Sequence, residues 1–263
     1  RDLRQTNAFQ AVWSPDGGAA RPVPVCAACA TTLNSGQLPA AREVEVGGSR
    51  LLLDCGLFQG LKLQRERNWQ ALPIDVRSID AVVLSHAHLD HSGWLPVLVK
   101  HGYRGPIFTN TATRDLCAVL LADSAHLQEE DARRANRYGS ASHTPALPLY
   151  TKADAARAVQ RISALPSGRG AEVGRVQIGF TPVGHLLGAS AVTLTIGRER
   201  IVYSGDLGRG NDLLLPAPQA VRAADVLLVE ATYGNRLHPR EDVQVKLGEI
   251  IRRGEAGLAP RLC

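Results

Sequence analysis

Residues 79–95 read Ile79-Asp80-Ala81-Val82-Val83-Leu84-Ser85-His86-Ala87-His88-Leu89-Asp90-His91-Ser92-Gly93-Trp94-Leu95, and the order of residue types in this stretch decides the fold. The run Ile79 to Leu84 is short, apolar and β-branched, the composition of a buried strand. Four ligand-type side chains follow in an H-x-H-x-D-H pattern: His86, His88, Asp90 and His91. Imidazole nitrogen and carboxylate oxygen suit a borderline-soft cation such as zinc, and this spacing lets one short loop serve two neighbouring ions. Ser92-Gly93, then Trp94, Leu95, Leu98 and Val99, predict a loop entering a helix. Binding groups at such a strand-to-loop-to-helix edge are carried by a rigid scaffold.

Working outward, Val44-Glu45-Val46, Gly47-Gly48 and Arg50-Leu51-Leu52-Leu53 give a hairpin signal with Asp54-Cys55-Gly56 at its exit. Residues 57–78 are polar and basic and read as loop with short helix. Beyond the metal loop, Ile107-Phe108-Thr109 predicts a strand. Residues 113–137 carry Leu116, Val119, Leu120 and Leu127 at mostly helical spacing, and the charge run Glu129 to Arg134 reads as a solvated face. Thr151-Lys152-Ala153-Asp154 is a capping-box variant, and it predicts a helix through Val159, Ile162 and Leu165 that ends at Pro166 to Gly170. Four strands are expected at Val176–Phe180, Ala191–Ile196, Ile201–Tyr203 and Val226–Val229. Strands with both hairpins and interspersed helices indicate an α/β (α+β) fold of mixed sheets covered by helices.

The bulk properties exclude more than they select. The chain has 263 residues, 44% of them hydrophobic, enough for a substantial core and unlike a disordered or fibrous chain. Lys plus Arg exceed Asp plus Glu by 30 to 25, a net +5 that suits a polyanionic partner and plain solubility equally. No apolar run approaches the ~20 residues of a membrane helix, so no membrane partner and a cytoplasmic location are expected. Five cysteines, Cys26, Cys29, Cys55, Cys117 and Cys263, argue against a disulfide framework. Cys26-Ala-Ala-Cys29 has zinc-ribbon spacing without a second pair and is read as incidental. Residues 1–32 show no sustained period and read as an irregular leader. The chain starts at Arg1 and contains no methionine, which reads as a fragment or an interrupted reading frame.

Two later residues stand beside glycines at strand ends: His185 in Gly184-His185-Leu186-Leu187-Gly188, and Asp206 in Ser204-Gly205-Asp206. Glycine there lets backbone approach where a side chain would obstruct it. Read with the H-x-H-x-D-H loop they are the expected distant ligands of a two-metal site. At these residues the chain resembles the metallo-β-lactamase superfamily. Leu53 to Gly60, Ser85 to Gly93, Gly184 to Ala189, Tyr203 to Leu207 and Glu230 to Arg236 resemble its β-CASP branch of RNA-processing metallo-hydrolases, over roughly residues 40–250.

The resemblance implies an αββα sandwich and a zinc-dependent ribonuclease. It implies that His86, His88 and His185 hold one zinc, Asp90 and His91 the other, and that Asp206 bridges them. Asp54 would orient the metal loop as a carboxylate outside the ligand set. Glu230 would support proton delivery through a histidine of an inserted domain, its alternative being a loop acid that pairs only locally. Two cations make hydroxide available near neutral pH and stabilise charge on a phosphorane, which suits a phosphodiester. RNA is the expected partner, drawn in by arginines such as Arg65, Arg67, Arg133, Arg134 and Arg137, and a homodimer is the expected assembly.

Domains follow as a leader at 1–32, a first metallo-β-lactamase segment at 33–232 and the start of a truncated β-CASP domain at 233–263. Two further histidines of the family's pattern would fall beyond Cys263, so the second zinc site is expected to be incomplete. Ala40 to Val44 resembles the loop after the family's first strand, with about half a dozen residues missing before the hairpin. Two other readings stay open: a thioester or lactam hydrolase on the same metal core, and an inactive remnant that only binds RNA or a partner.

Overall fold

Three consecutive leucines, Leu51, Leu52 and Leu53, are all fully buried, and because successive side chains on a strand point to opposite faces they require two cores. The computed structural model of the chain, which describes residues 42–70, 74–139, 144–166, 168–221, 223–230, 232 and 242–255, provides both. Leu52, Val82 and Ile107 face a layer of helices with Trp94, Leu95, Leu98, Cys117 and Leu121. Leu51, Leu53, Ala81 and Val83 face a second sheet through Val176, Ile178, Val192, Leu194 and Tyr203. The layers therefore run helices, sheet, sheet.

The first sheet has the order β1 (Arg42–Val46), β2 (Ser49–Leu53), β3 (Ala81–Val83), β4 (Ile107–Asn110) and β5 (Ile162–Leu165). β1 and β2 form the expected hairpin, antiparallel with Val44 opposite Leu51, and the remaining neighbours are parallel. Parallel strands need crossovers. These are the helices α2 (Leu89–Ser92) and α3 (Leu95–Lys100) between β3 and β4, then α4 (Thr111–Tyr138) and α5 (Lys152–Val159) between β4 and β5. A short α1 (Lys62–Glu66) and two 3-10 turns, Arg67–Trp69 and Val76–Ser78, occupy the segment before β3. The second sheet runs β10 (Val226–Leu228), β9 (Glu199–Tyr203), β8 (Ser190–Ile196), β7 (Val176–Pro182) and β6 (Ala171–Val173). Contacts divide the chain into two units, Arg1–Glu230 and Ala231–Cys263. In the second, α6 (Val243–Glu255) is the described helix.

Two expectations need correction. The helix predicted through Ile162 and Leu165 stops at Val159, and Ile162–Leu165 is strand β5, pairing Ile107 with Ile162 and Asn110 with Leu165. Val159, Ile162 and Leu165 at intervals of three satisfy a helical stripe. The open edge of β4 competes for the same residues, and its ladder begins where the Ile107 N–H donates to the Arg161 carbonyl at 3.0 Å. The loop expected over Ala40 to Val44 is strand from Arg42 onward, the sheet's edge, where Glu43 pairs with Arg50 at 3.1 Å. Charge on an edge strand blunts further pairing. The leader 1–32, Cys26, Cys29 and Cys263 lie outside the described residues.

Candidate metal centre

The centre is built at the ends of strands from both sheets. β2 ends in Asp54, which is fully buried and has φ 59°, a left-handed backbone that asparagine and aspartate enter more readily than most residues. That turn aims its carboxylate at the metal loop. Oδ1 accepts the Ser85 N–H at 2.7 Å. Oδ2 accepts the Ser85 and Tyr203 hydroxyls, each at 2.7 Å, and meets His91 Nδ1 at 2.7 Å. Burial pushes the Asp54 carboxyl up, yet the His91 charge and hydrogen bond, His86 and the Ser85 N–H together hold it below the usual carboxylate range.

After β3, His86 and His88 lie in the loop, while Asp90 and His91 fall in α2. Loop and β2 exit are clamped together: the Cys55 N–H donates to the His91 carbonyl at 2.6 Å, and the Leu57 N–H to the Leu89 carbonyl at 2.8 Å. Gly56 permits this, since a Cβ there would stand 1.5 Å from the Asp90 carbonyl oxygen. From the second sheet, β7 leads through Val183 and Gly184 (φ 64°) to His185, and β9 leads through Ser204 and Gly205 to Asp206. The Ser190 N–H donates to the Ser85 carbonyl at 3.0 Å and ties the two sheet ends together.

His88 Nδ1 lies 3.1 Å from both His86 Nε2 and His185 Nε2. Asp206 Oδ2 lies 3.6 Å from His185 Nε2 and 3.9 Å from His86 Nε2. His88 Nδ1 offers either one proton or one lone pair, so it can make one good hydrogen bond to these two nitrogens and not two. Their spacing is close to the roughly 3.3 Å edge of a tetrahedron with metal–nitrogen bonds of about 2.0–2.1 Å. The donor set fits a cation. Asp206 Oδ1 turns the other way, 3.3 Å from His91 Nε2, and Asp90 Oδ2 is 3.9 Å from that same nitrogen. One carboxylate thus addresses two groups of ligands.

The charges follow this geometry. Burial, then the nearby His91 charge, lowers His86 to about 3. Burial also disfavours charge on His91, but Asp54 and Asp206 outweigh it and raise the group to about 10. Asp206, pushed up by burial, is brought down by His91, His86 and His185 together and rests at about 2. His86 and His91 are buried whereas His88 is exposed, so the cluster opens to solvent on the His88 side.

All eight residues singled out in the sequence are described, and seven converge: Asp54, His86, His88, Asp90, His91, His185 and Asp206. Glu230 sits one step outside. Its Oε1 accepts the Leu207 N–H at 2.8 Å and its own N–H donates to Ser204 Oγ at 3.0 Å, so it braces the turn carrying Asp206. Ser85 and Tyr203 escaped the sequence reading as functional residues. A buried tyrosine beside a ligand turn was the available signal, because its hydroxyl needs a partner.

Two sheets of mixed α/β topology with histidines and aspartates gathered at their strand ends define a metallo-hydrolase-type scaffold. The chain belongs to the beta-lactamase superfamily: the family model described as "Beta-lactamase superfamily domain" matches residues 49–256. Within it, the matches group the chain with the β-CASP branch that its motifs resemble. It is 36% identical to Ribonuclease TTHA0252 of Thermus thermophilus over 81% of this chain and 47% of that protein. It is 30% identical to Transcription termination factor FttA of Cenarchaeum symbiosum over 77% of this chain and 30% of that protein. It is also 30% identical to Cleavage and polyadenylation specificity factor 73 of Drosophila melanogaster over 80% of this chain and 29% of that protein. The chain spans about half the length, or less, of these curated relatives.

Proposed function

We propose that the chain carries the metal centre of a zinc-dependent ribonuclease that hydrolyses RNA phosphodiester bonds. The observation that carries this reading is the Asp206 carboxylate, with one oxygen facing the His86, His88 and His185 nitrogens and the other facing His91. The names of the relatives support RNA as substrate. In this reading His86, His88 and His185 hold one ion, Asp90 and His91 the other, and Asp206 both. When bound, such a pair supplies a nucleophile at neutral pH and offsets the charge that builds on the phosphoryl oxygens.

The protein's own part is orientation. Asp54 accepts a hydrogen bond from His91 Nδ1–H and leaves Nε2 facing the ligand group, with Ser85 and Tyr203 fixing the carboxylate. Glu230 holds the Asp206 turn through the Leu207 amide, and in the same reading it would support proton delivery through a histidine of the inserted domain. Segment 33–232 is read as the first part of the metallo-β-lactamase domain and 233–263 as the start of the inserted one, which the division after Glu230 supports. Cytoplasmic location and homodimeric assembly belong to the same proposal. The few cysteines suit a reducing compartment, and sedimentation tests the dimer. No described helix is long and apolar enough to cross a membrane.

Incubation of the chain with a short single-stranded RNA and with a chromogenic lactam, each with and without added zinc, tests the reading. Zinc-dependent RNA cleavage that disappears in His86→Ala is expected. Turnover of the lactam alone, RNA binding without cleavage in either protein, or a folded sample that takes up no zinc would each overturn it.

A further inference from the structure

Residues 57–69 leave the metal loop and return to it. At the outgoing end the Leu57 N–H is bonded to the Leu89 carbonyl, one residue before Asp90. At the returning end the Trp94 indole N–H donates to the Asn68 carbonyl at 3.0 Å. The arch between them is braced internally. The buried Asn68 side chain accepts the Phe58 N–H at 2.8 Å and donates to the Phe58 carbonyl at 2.9 Å, and the Arg67 guanidinium stacks 4.5 Å above the Phe58 ring. The arch is thus tied at both ends to residues that flank Asp90 and His91 in the chain.

Its outer surface combines exposed apolar side chains with positive charge. Trp69 is 63% exposed, Leu61 75% and Leu63 77%. Between them stand Lys62, Arg65 and Arg67 against the single acid Glu66. Lys62, Arg65 and Trp69 recur at intervals of three and four over consecutive turns, which puts two cations and an indole roughly on one side. Glu66 pairs with Lys62 at 3.7 Å, an exposed contact that leaves Arg65 available. A positive surface with an exposed ring is the combination that takes a single-stranded polyanion whose bases have flat faces. An acidic peptide would use the charge and leave the indole idle.

We propose that this arch is the cradle for single-stranded RNA on the Asp90 side of the metal centre, with Arg65 and Lys62 on phosphates and Trp69 stacked on a base. The proposal rests on the ribonuclease reading. Arg67 keeps its place over Phe58 and positions the arch.

Fluorescence anisotropy of a labelled oligouridine with the full chain, without added metal, tests it at rising potassium chloride. Trp69→Ala is expected to weaken binding on the order of ten- to a hundredfold, as loss of one base stack does, and Trp69→Phe to restore most of it. Arg65→Ala is expected to flatten the dependence of log affinity on log salt by about 0.7, the share of one phosphate contact to a single strand. Arg198→Ala, on the β8–β9 hairpin at the other end of the second sheet, should change nothing. If the parent binds and cleaves RNA while the Trp69 and Arg65 variants bind equally well, the cradle is wrong and the ribonuclease reading stands. If the parent neither binds nor cleaves RNA, both fall. Unchanged RNA affinity together with lost self-association in Trp69→Ala would make the arch a protein interface and overturn the proposal.

Discussion

At the residue scale the centre depends on a side chain that touches no ligand group but one. Asp54 is acceptor-only, and its two oxygens meet four donors: the Ser85 N–H, the Ser85 and Tyr203 hydroxyls and His91 Nδ1. Asparagine has nearly the same shape but turns one acceptor into an NH2 group that would face donors. Asp54→Asn should therefore keep the fold and weaken zinc binding at the His91 side about 10- to 100-fold, the usual cost of losing a partner behind a metal-ligating histidine. Competition titration against a chelating dye checks this, and an unchanged affinity would remove Asp54 from the site. The candidate ligands that the structure brings together were legible in sequence because spacing and residue type are chemical statements. Tyr203 was not, since its role is written only in the meeting of β9 with the exit of β2, 149 residues apart.

At the scale of elements, local chemistry was readable and competition between partners was not. The Thr151 cap was predicted and is present: Thr151 Oγ1 accepts the Asp154 N–H at 3.2 Å, and Asp154 Oδ2 accepts the Thr151 N–H at 2.8 Å. The helix it starts ends three residues before the predicted β-branched position Ile162, because β4 offers that residue a ladder. A helical stripe does not reveal an open sheet edge elsewhere in the chain. Burial raises the Asp154 carboxyl, but the Thr151 N–H and hydroxyl and then Arg157 hold it below its ordinary value. A carboxylate lowered on folding stabilises above its unfolded pKa of about 3.9, and the contribution is lost as pH falls through the folded value. Asp154→Ala should cost about 1 kcal/mol in urea unfolding at neutral pH. The gap to the parent should narrow once pH drops below about 4. A gap that persists or widens in acid would show that Asp154 acts through packing and not through its charge.

For the molecule as a whole, the centre sits where two sheets meet, so its occupancy and the cohesion of the sandwich are linked. His86, His88, Asp90 and His91 come from the first sheet's β3–β4 connection, whereas His185 and Asp206 follow strands of the second sheet. Among the described residues, hydrogen bonds from Ser190 to Ser85, Tyr203 to Asp54, and Asn110 and Thr113 to Gly188 tie those sheet ends directly. A cation held by both sheets binds the folded chain and not the unfolded one. It therefore stabilises by RT ln(1 + [L]/Kd), or about 2.7 kcal/mol at a hundredfold excess over Kd. For a chain of this size that shift corresponds to roughly 5–10 °C in Tm. Zinc should raise the Tm by that amount in scanning fluorimetry, and a chelator should return it. His185→Ala removes the second sheet's imidazole while leaving the H-x-H-x-D-H loop complete, so it should lose most of the shift although five of the six candidate ligands remain. A full shift in that variant would mean that the ion is held without His185 and would remove that residue from the centre.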